Sequence, residues 1–412
     1  MMKSPKIRFK GFDGDWEQRK LGEILIGLQN NTLSRADLLN ETGVAKNVHY
    51  GDVLIKFGEV LDVSKEKLPM ISDESILSKY KSSFLQNGDI IVADTAEDST
   101  VGKCSEIAGL NDEIVLSGLH TIPYRPIEKF ASGYLGYYLN SSAYHNQLIP
   151  LMQGIKVTSI SKSAMQDTDI VYPKSVEEQG KIGDYFQSLD NLITLHQKKC
   201  EQLTILKKYM LQKMFPQNGS DKPEIRFEGF TDDWEQRKLG EVFQEYSEKN
   251  HPELPALTII QGGGTVLRDE SDRNLQYDKS SLSGYKMVCE DDFIVHLRSF
   301  EGGLEKSNHN GLISPAYHTF HGDNVDSRFY YPYFRSYEFI KHKLVPHVYG
   351  IRDGRSIDID GMKTIEIPWT SYGEQKKIGD YIESLDHLIT LHQQKCDELR
   401  NAKKFMLQNM FI

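Results

Sequence analysis

The residue types best suited to grip a ligand lie in two glycine-led loops. These are Gly154-Ile155-Lys156-Val157-Thr158-Ser159-Ile160 and Gly350-Ile351-Arg352-Asp353-Gly354-Arg355-Ser356-Ile357. Lys156, Thr158, Ser159, Arg352 and Arg355 are hydrogen-bond donors beside a glycine that lets backbone approach a surface. Arginine forks suit guanine edges and phosphates. Serine and threonine hydroxyls suit phosphate oxygens. Arg298, Ser299 and Lys306 follow the expected strand after Asp292 and extend the same set. The corresponding loop in the first half, Asp94 to Lys103, is more acidic. It is expected to accept hydrogen bonds from bases, with Lys103 its one lysine. The bland reading of these side chains is ordinary solvated loop.

Reaction chemistry is missing. There is no phosphate-cradling G-x-x-x-x-G-K-[ST] and no G-x-G-x-x-G after a strand. No H-E-x-x-H or G-x-S-x-G occurs, nor an Asn/Asp-Pro-Pro-aromatic tetrapeptide. Gly262-Gly263-Gly264 reads as a flexible loop. A chain without these constellations is expected to catalyse nothing by itself and to hold no cofactor. His196 and Cys200 are four apart, as are His392 and Cys396. Facing each other, they offer Cys₂His₂ to zinc. The competing reading, no metal and a seam histidine beside a small apolar cysteine, explains both pairs without an ion.

The elements that carry these loops are written twice. Residues 7–23 return at 225–241 with 14 of 17 positions identical, and residues 178–215 return at 374–411 with 26 of 38 identical. The offsets are 218 and 196, so the second insert is 22 residues shorter than the first, and the two inserts share little identity. Near-identical pieces point to one job done twice; unlike inserts point to two different jobs. Matching polar residues such as Ser188 and Ser384, or Lys199 and Lys395, hint that each copy docks the same partner.

After Pro173, Phe186, Leu189, Ile193, His196, Cys200, Leu203, Met210 and Met214 recur at steps of three and four, skipping Lys207. Ile382, Leu385, Ile389, His392, Cys396, Leu399, Met406 and Met410 repeat the pattern. That is a coiled-coil seam over three to four heptads, a rod of about 50 Å for 35 residues. A helix with one apolar seam must bury it, and the twin is the simplest partner. The inserts read as mixed α/β. Strands are expected at Ile90–Ala93 and Phe293–Val295, and aromatic helices begin near Tyr134 and Phe329. The fold class is therefore α/β (α+β): two globular mixed α/β domains separated by two long helices in an antiparallel coiled coil, a pseudo-two-fold tandem repeat. The expected division is 1–177 as first domain, 178–215 as first helix, 216–224 as polar linker, 225–373 as second domain and 374–412 as second helix.

The ordered set resembles the specificity subunit of type I restriction–modification enzymes. It comprises Trp-Glu-x-x-x-Leu-Gly-Glu at Trp16 and Trp234, Gly-Asp-Ile at Gly88, a glycine loop ending in proline, and Glu-Gln-x-x-Ile-Gly-Asp-Tyr at Glu178 and Glu374. The second half departs at Asp291-Asp292-Phe293, which puts its turn geometry in question. The resemblance implies that each insert reads one half of a bipartite, asymmetric target in double-stranded DNA. It implies that the helices set the gap, with Leu189, Ile193, His196, Cys200, Leu203, Leu385, Ile389, His392, Cys396 and Leu399 as the spacer and docking candidates. Two modification methyltransferase subunits carrying S-adenosylmethionine are implied partners. Motor–nuclease subunits, with ATP and magnesium, are others. Lys103, Lys156, Thr158, Ser159, Arg298, Ser299, Lys306, Arg352 and Arg355 are then the DNA-contact candidates.

Composition bounds the alternatives. The 412 residues are 39% hydrophobic and 26% charged, an ordinary globular balance. There is no long apolar run and no apolar leader, and four cysteines make no disulfide framework. A cytoplasmic chain away from membranes is expected. The net charge of −10 sits awkwardly with polyanion binding, which then needs local positive potential or help from partners. A stand-alone bipartite DNA-binding regulator and a coiled-coil protein-interaction adaptor are the competing readings.

Overall fold

The computed structural model describes residues 4–217, 220–271, 279–350 and 355–412. It divides into two compact units, residues 1–197 with 394–412, and residues 198–393.

In the first unit the signature strand Glu17–Lys20 pairs antiparallel with Asp169–Tyr172, tying the start of the insert to its end. Between them lies a five-stranded sheet in the order Leu25–Gly27, Thr121–Pro126, Ile90–Ala93, Cys104–Ala108, Val60–Asp62. Ile90–Ala93 is buried at all four positions, as a continuous apolar run requires when both faces are covered. The helix Tyr134–Asn140 seats Tyr134, Tyr137 and Tyr138 in the core beside Phe186 and Phe411.

The second unit repeats this frame with different filling. Glu235–Lys238 pairs with Glu366–Trp369. A four-stranded sheet runs Gln244–Tyr246, His318–His321, Phe293–Val295, Glu305–Lys306. Helix Ser327–Phe334 packs Tyr330 and Phe334 onto Phe243, Phe334 also onto Phe293, and Phe329 onto Phe215 and Trp234. The questioned turn is kept. Asp291 has φ +71° where Gly88 has +90°, and aspartate tolerates this left-handed backbone better than most residues. Gly262–Gly264 corrects the flexible-loop reading. It turns a hairpin between Leu257–Ile260 and Gly264–Leu267. Its Gly262 and Gly264 N–H groups donate to buried Glu305 at 2.8 and 3.2 Å.

The long helices are Val176–Lys213 and Tyr372–Asn409, 38 residues each, or about 57 Å at the standard rise. They pair antiparallel within each unit. In the first, Cys396 Sγ donates to the Ile193 carbonyl at 3.7 Å, Lys403 meets Asp190 at 2.6 Å, and Phe186 stacks on Phe411. In the second, Cys200 Sγ donates to the Ile389 carbonyl at 3.6 Å and Lys207 meets Asp386. The seam candidates Leu189, Ile193, Leu203, Leu385 and Cys396 are buried. His196, Cys200, Ile389, His392 and Leu399 are half-buried. No group of three metal-ligating side chains suited to an ion occurs among the described residues. No helix is long and apolar enough to cross a membrane among them.

The duplicated polar residues at the helix starts act as buckles. Glu178, 2% exposed, takes two hydrogen bonds from Arg8 at 2.6 and 2.9 Å. Glu374 takes two from Arg226 at 2.7 and 2.8 Å. Gln179 and Gln375 each bond backbone on both sides, Gln179 to Ala131 and Pro173, Gln375 to Asp326 and Thr370. The same device closes each signature onto a helix end: Ile7 N–H donates to the Asn409 carbonyl, and Ile225 N–H to the Lys213 carbonyl, both at 2.9 Å.

Candidate nucleic-acid interface

In the first unit the glycine loop is a short hairpin. Gln153 and Ser159 exchange two backbone hydrogen bonds of 2.9 and 2.8 Å. Thr158 and Ser159 then pair with Ala96 and Thr95, just past the central strand Ile90–Ala93. Ile160 N–H donates to the Asp94 carbonyl. So the two loops singled out in the sequence, Asp94–Lys103 and Gly154–Ile160, are laced together. Behind them opens a cleft of about 480 Å³ whose lining includes Gln29, Asn30, Asp94, Thr121, Ser161 and Lys162. Asp94 carries the Thr95 hydroxyl at 2.7 Å and His120 at 3.5 Å.

The second unit places a cleft at the matching point, past the end of Phe293–Val295 and at the start of His318–His321. It is narrower, about 40 Å³, and its lining includes His296, Leu297, His318, Arg355 and Ser356. The hairpin pairs Val348–Tyr349 with Ser356–Ile357. Burial pulls the His296 pKa below its ordinary value, so its ring is neutral near pH 7. Arg355 lies 5.8 Å over the Phe300 ring, and His318 Nδ1 meets Glu245 at 2.7 Å.

The named candidates therefore separate. Lys156 and Ser159 are exposed and Thr158 half-exposed on the first hairpin; Arg298 and Arg355 are exposed in the second unit. Arg352 lies outside the described residues. Three others face inward. Lys103 donates to the Leu54 carbonyl at 2.8 Å, and burial lowers its pKa. Ser299 is fully buried, its hydroxyl capping the His296 N–H at 2.9 Å. Lys306 is paired with Asp291 at 2.8 Å. Gln29, Asn30, Lys162, His296 and His318 line the clefts without having been singled out in the sequence. They sit at strand and helix ends far apart in the chain, and only Lys162, just past the glycine loop, was within reach of a sequence signal.

The comparisons agree with this architecture. Residues 13–204 match the type I restriction modification DNA specificity domain family. The putative type I restriction enzyme MjaX specificity subunit of Methanocaldococcus jannaschii is 23% identical over 416 residues, covering 95% of this chain and 91% of that one. The type I restriction enzyme MjaVIII specificity subunit of the same organism is 25% identical over 271 residues, covering 61% and 63%. Among solved structures, a type I restriction–modification S subunit from M. genitalium overlays with a TM-score of 0.59 at 13% identity, covering 99% of both chains. The fold of the chain is that of this S subunit, and residues 13–204 carry the type I restriction modification DNA specificity domain.

Proposed function

We propose that the two units read the two halves of a bipartite, asymmetric double-stranded DNA target for a type I restriction–modification complex. The observation that carries this reading is the pair of clefts. Each stands at the same place on the same frame, between the central strand and the glycine hairpin. Their linings differ, a carboxylate, amides and a lysine in one, histidines and arginine in the other. Duplicated frames with unlike linings fit two half-sites of different sequence.

The long helices set the gap and dock the partners. Leu192 and Leu195 in the first unit are 43% and 62% exposed, and Leu388 and Leu391 at the same repeat positions in the second are 39% and 50% exposed. Each helix pair thus offers water the same apolar face, outside the seam that holds Leu189 and Leu385. Two like modification subunits, carrying S-adenosylmethionine, fit two like faces. Motor–nuclease subunits using ATP and magnesium complete the complex in the cytoplasm. This chain supplies sequence choice and no catalysis.

Single-molecule sequencing of genomic methylation, with and without this gene, tests the reading. The expected result is a split methylated motif that disappears with the gene. Removing matched heptads from both helices is expected to shorten the gap by about three base pairs, since seven residues span about 10 Å, and to leave both half-sites intact. Altered half-sites, or an assembled complex that leaves no footprint on DNA, sinks the proposal.

A further inference from the structure

The first hairpin ends in an unusual tip. Ile155 is fully exposed, at 102% of its reference area, and Val157 is 54% exposed. Single exposed aliphatics are common on protein surfaces. This one is held out on a fixed support. The base is closed by the Gln153–Ser159 hydrogen bonds and by the pairing with Thr95 and Ala96. The turn itself is tight. Gly154 has φ +118°, and a Cβ there would come within 2.0 Å of the Val157 carbonyl oxygen. The tip is narrow, stands beside the polar first cleft, and carries Lys156 between its two aliphatics.

Resting on the DNA-reading function proposed above, we infer that Ile155 enters the major groove and reads a thymine through its C5-methyl group. The major groove admits a two-stranded ribbon, and thymine is the base that shows an apolar group there. Isoleucine has no donor or acceptor, so no other major-groove edge rewards it. Lys156, adjacent at the tip, meets a phosphate while Ile155 faces the base edges. In the second unit the described part of the matching hairpin carries Tyr349 and Arg355.

The test uses the full chain assembled with methyltransferase subunits, and a duplex carrying the methylated motif. Each thymine of both half-sites is replaced, one at a time, by deoxyuridine, which lacks the methyl. The expected result is a thymine whose replacement weakens binding about fourfold, the worth of one buried methyl. Ile155→Ala should lose at least as much on the thymine duplex and show no further loss with deoxyuridine there. Ile155→Val should keep the discrimination. If no deoxyuridine replacement weakens binding, or the effect persists in Ile155→Ala, the inference fails. Insensitivity to deoxyuridine with a bend lost in Ile155→Ala identifies a wedge between base steps instead, and also overturns it. Failure of the wild-type complex to prefer its motif over unrelated DNA is a different result, and it overturns the proposed function itself.

Discussion

Lys207 Nζ lies 2.5 and 2.7 Å from the two carboxylate oxygens of Asp386, at the one seam position where the heptad pattern breaks. Its repeat counterpart Lys403 holds both Asp190 and Glu59, at 2.6 and 2.9 Å, and is only 15% exposed. A polar residue in an apolar seam fixes register at some cost in stability. Lys207→Ala is expected to cost about 0.5–1 kcal/mol, as for a partly exposed pair. Lys403→Ala should cost about 1–3 kcal/mol, because two carboxylates lose their cation. Urea unfolding of the two variants checks the order; equal losses refute it.

The buckle at the helix start makes a larger prediction. Arg226 and Glu374 are 14% and 1% exposed, and Trp234 Nε1 adds a third hydrogen bond at 3.1 Å. Arg226→Ala leaves a buried carboxylate uncompensated and should destabilise the second unit by about 3–5 kcal/mol. Arg226→Lys should recover only part of it, since lysine lacks the two-pronged fork. Thermal unfolding with a second-unit probe reads the difference.

Neighbouring residues in the second unit should separate by phenotype. Arg355→Ala should lower affinity of the assembled complex by about 1–3 kcal/mol if it makes a bidentate base contact, and only for the second half-site. An equal loss on unrelated DNA means a phosphate contact. Ser299→Ala should instead reduce stability by about 1 kcal/mol and leave half-site preference unchanged, because its hydroxyl is spent on the His296 N–H.

His321 gives the pH dependence. Its Nδ1 lies 2.6 Å from buried Asp292, and that hydrogen bond, with the nearby charge, raises its pKa above the ordinary 6.5. A raised pKa means the folded state binds the proton more tightly than the unfolded one. The stabilisation is therefore whole below pH 6.5 and is lost as pH rises through the raised value. His321→Gln should flatten the decline of melting temperature between pH 6 and pH 8; an unchanged slope rejects the assignment.

The net charge of −10 predicts behaviour of the chain alone. Without partner subunits it should bind DNA weakly and lose that binding steeply as salt rises. Tight specific binding by the lone chain at physiological salt, measured by titration, contradicts this.

Periodicity and repetition made much of the fold legible. The helix seams, the strands Ile90–Ala93 and Phe293–Val295 and the aromatic helices follow from local pattern. What escaped depends on partners distant in sequence. Nothing near Gly262 reveals that Glu305 orders its turn, and nothing near Glu374 reveals Arg226. The Glu-Gln pairs at 178–179 and 374–375 were legible as a duplicated motif, but their role as internal fasteners was not. The hairpins were visible as glycine loops, but the inward turn of Lys103 toward Leu54 needed the folded chain.

The hydrogen bond from Ile7 to Asn409 has a consequence for biosynthesis. The second unit is one continuous stretch, residues 198–393, and its parts leave the ribosome together. The first unit is begun before the second yet lacks its final strip, residues 394–412, until the whole second unit has been made. At about 5–20 residues per second, its aromatic core waits tens of seconds for Met410 and Phe411, so the half made first is the half completed last.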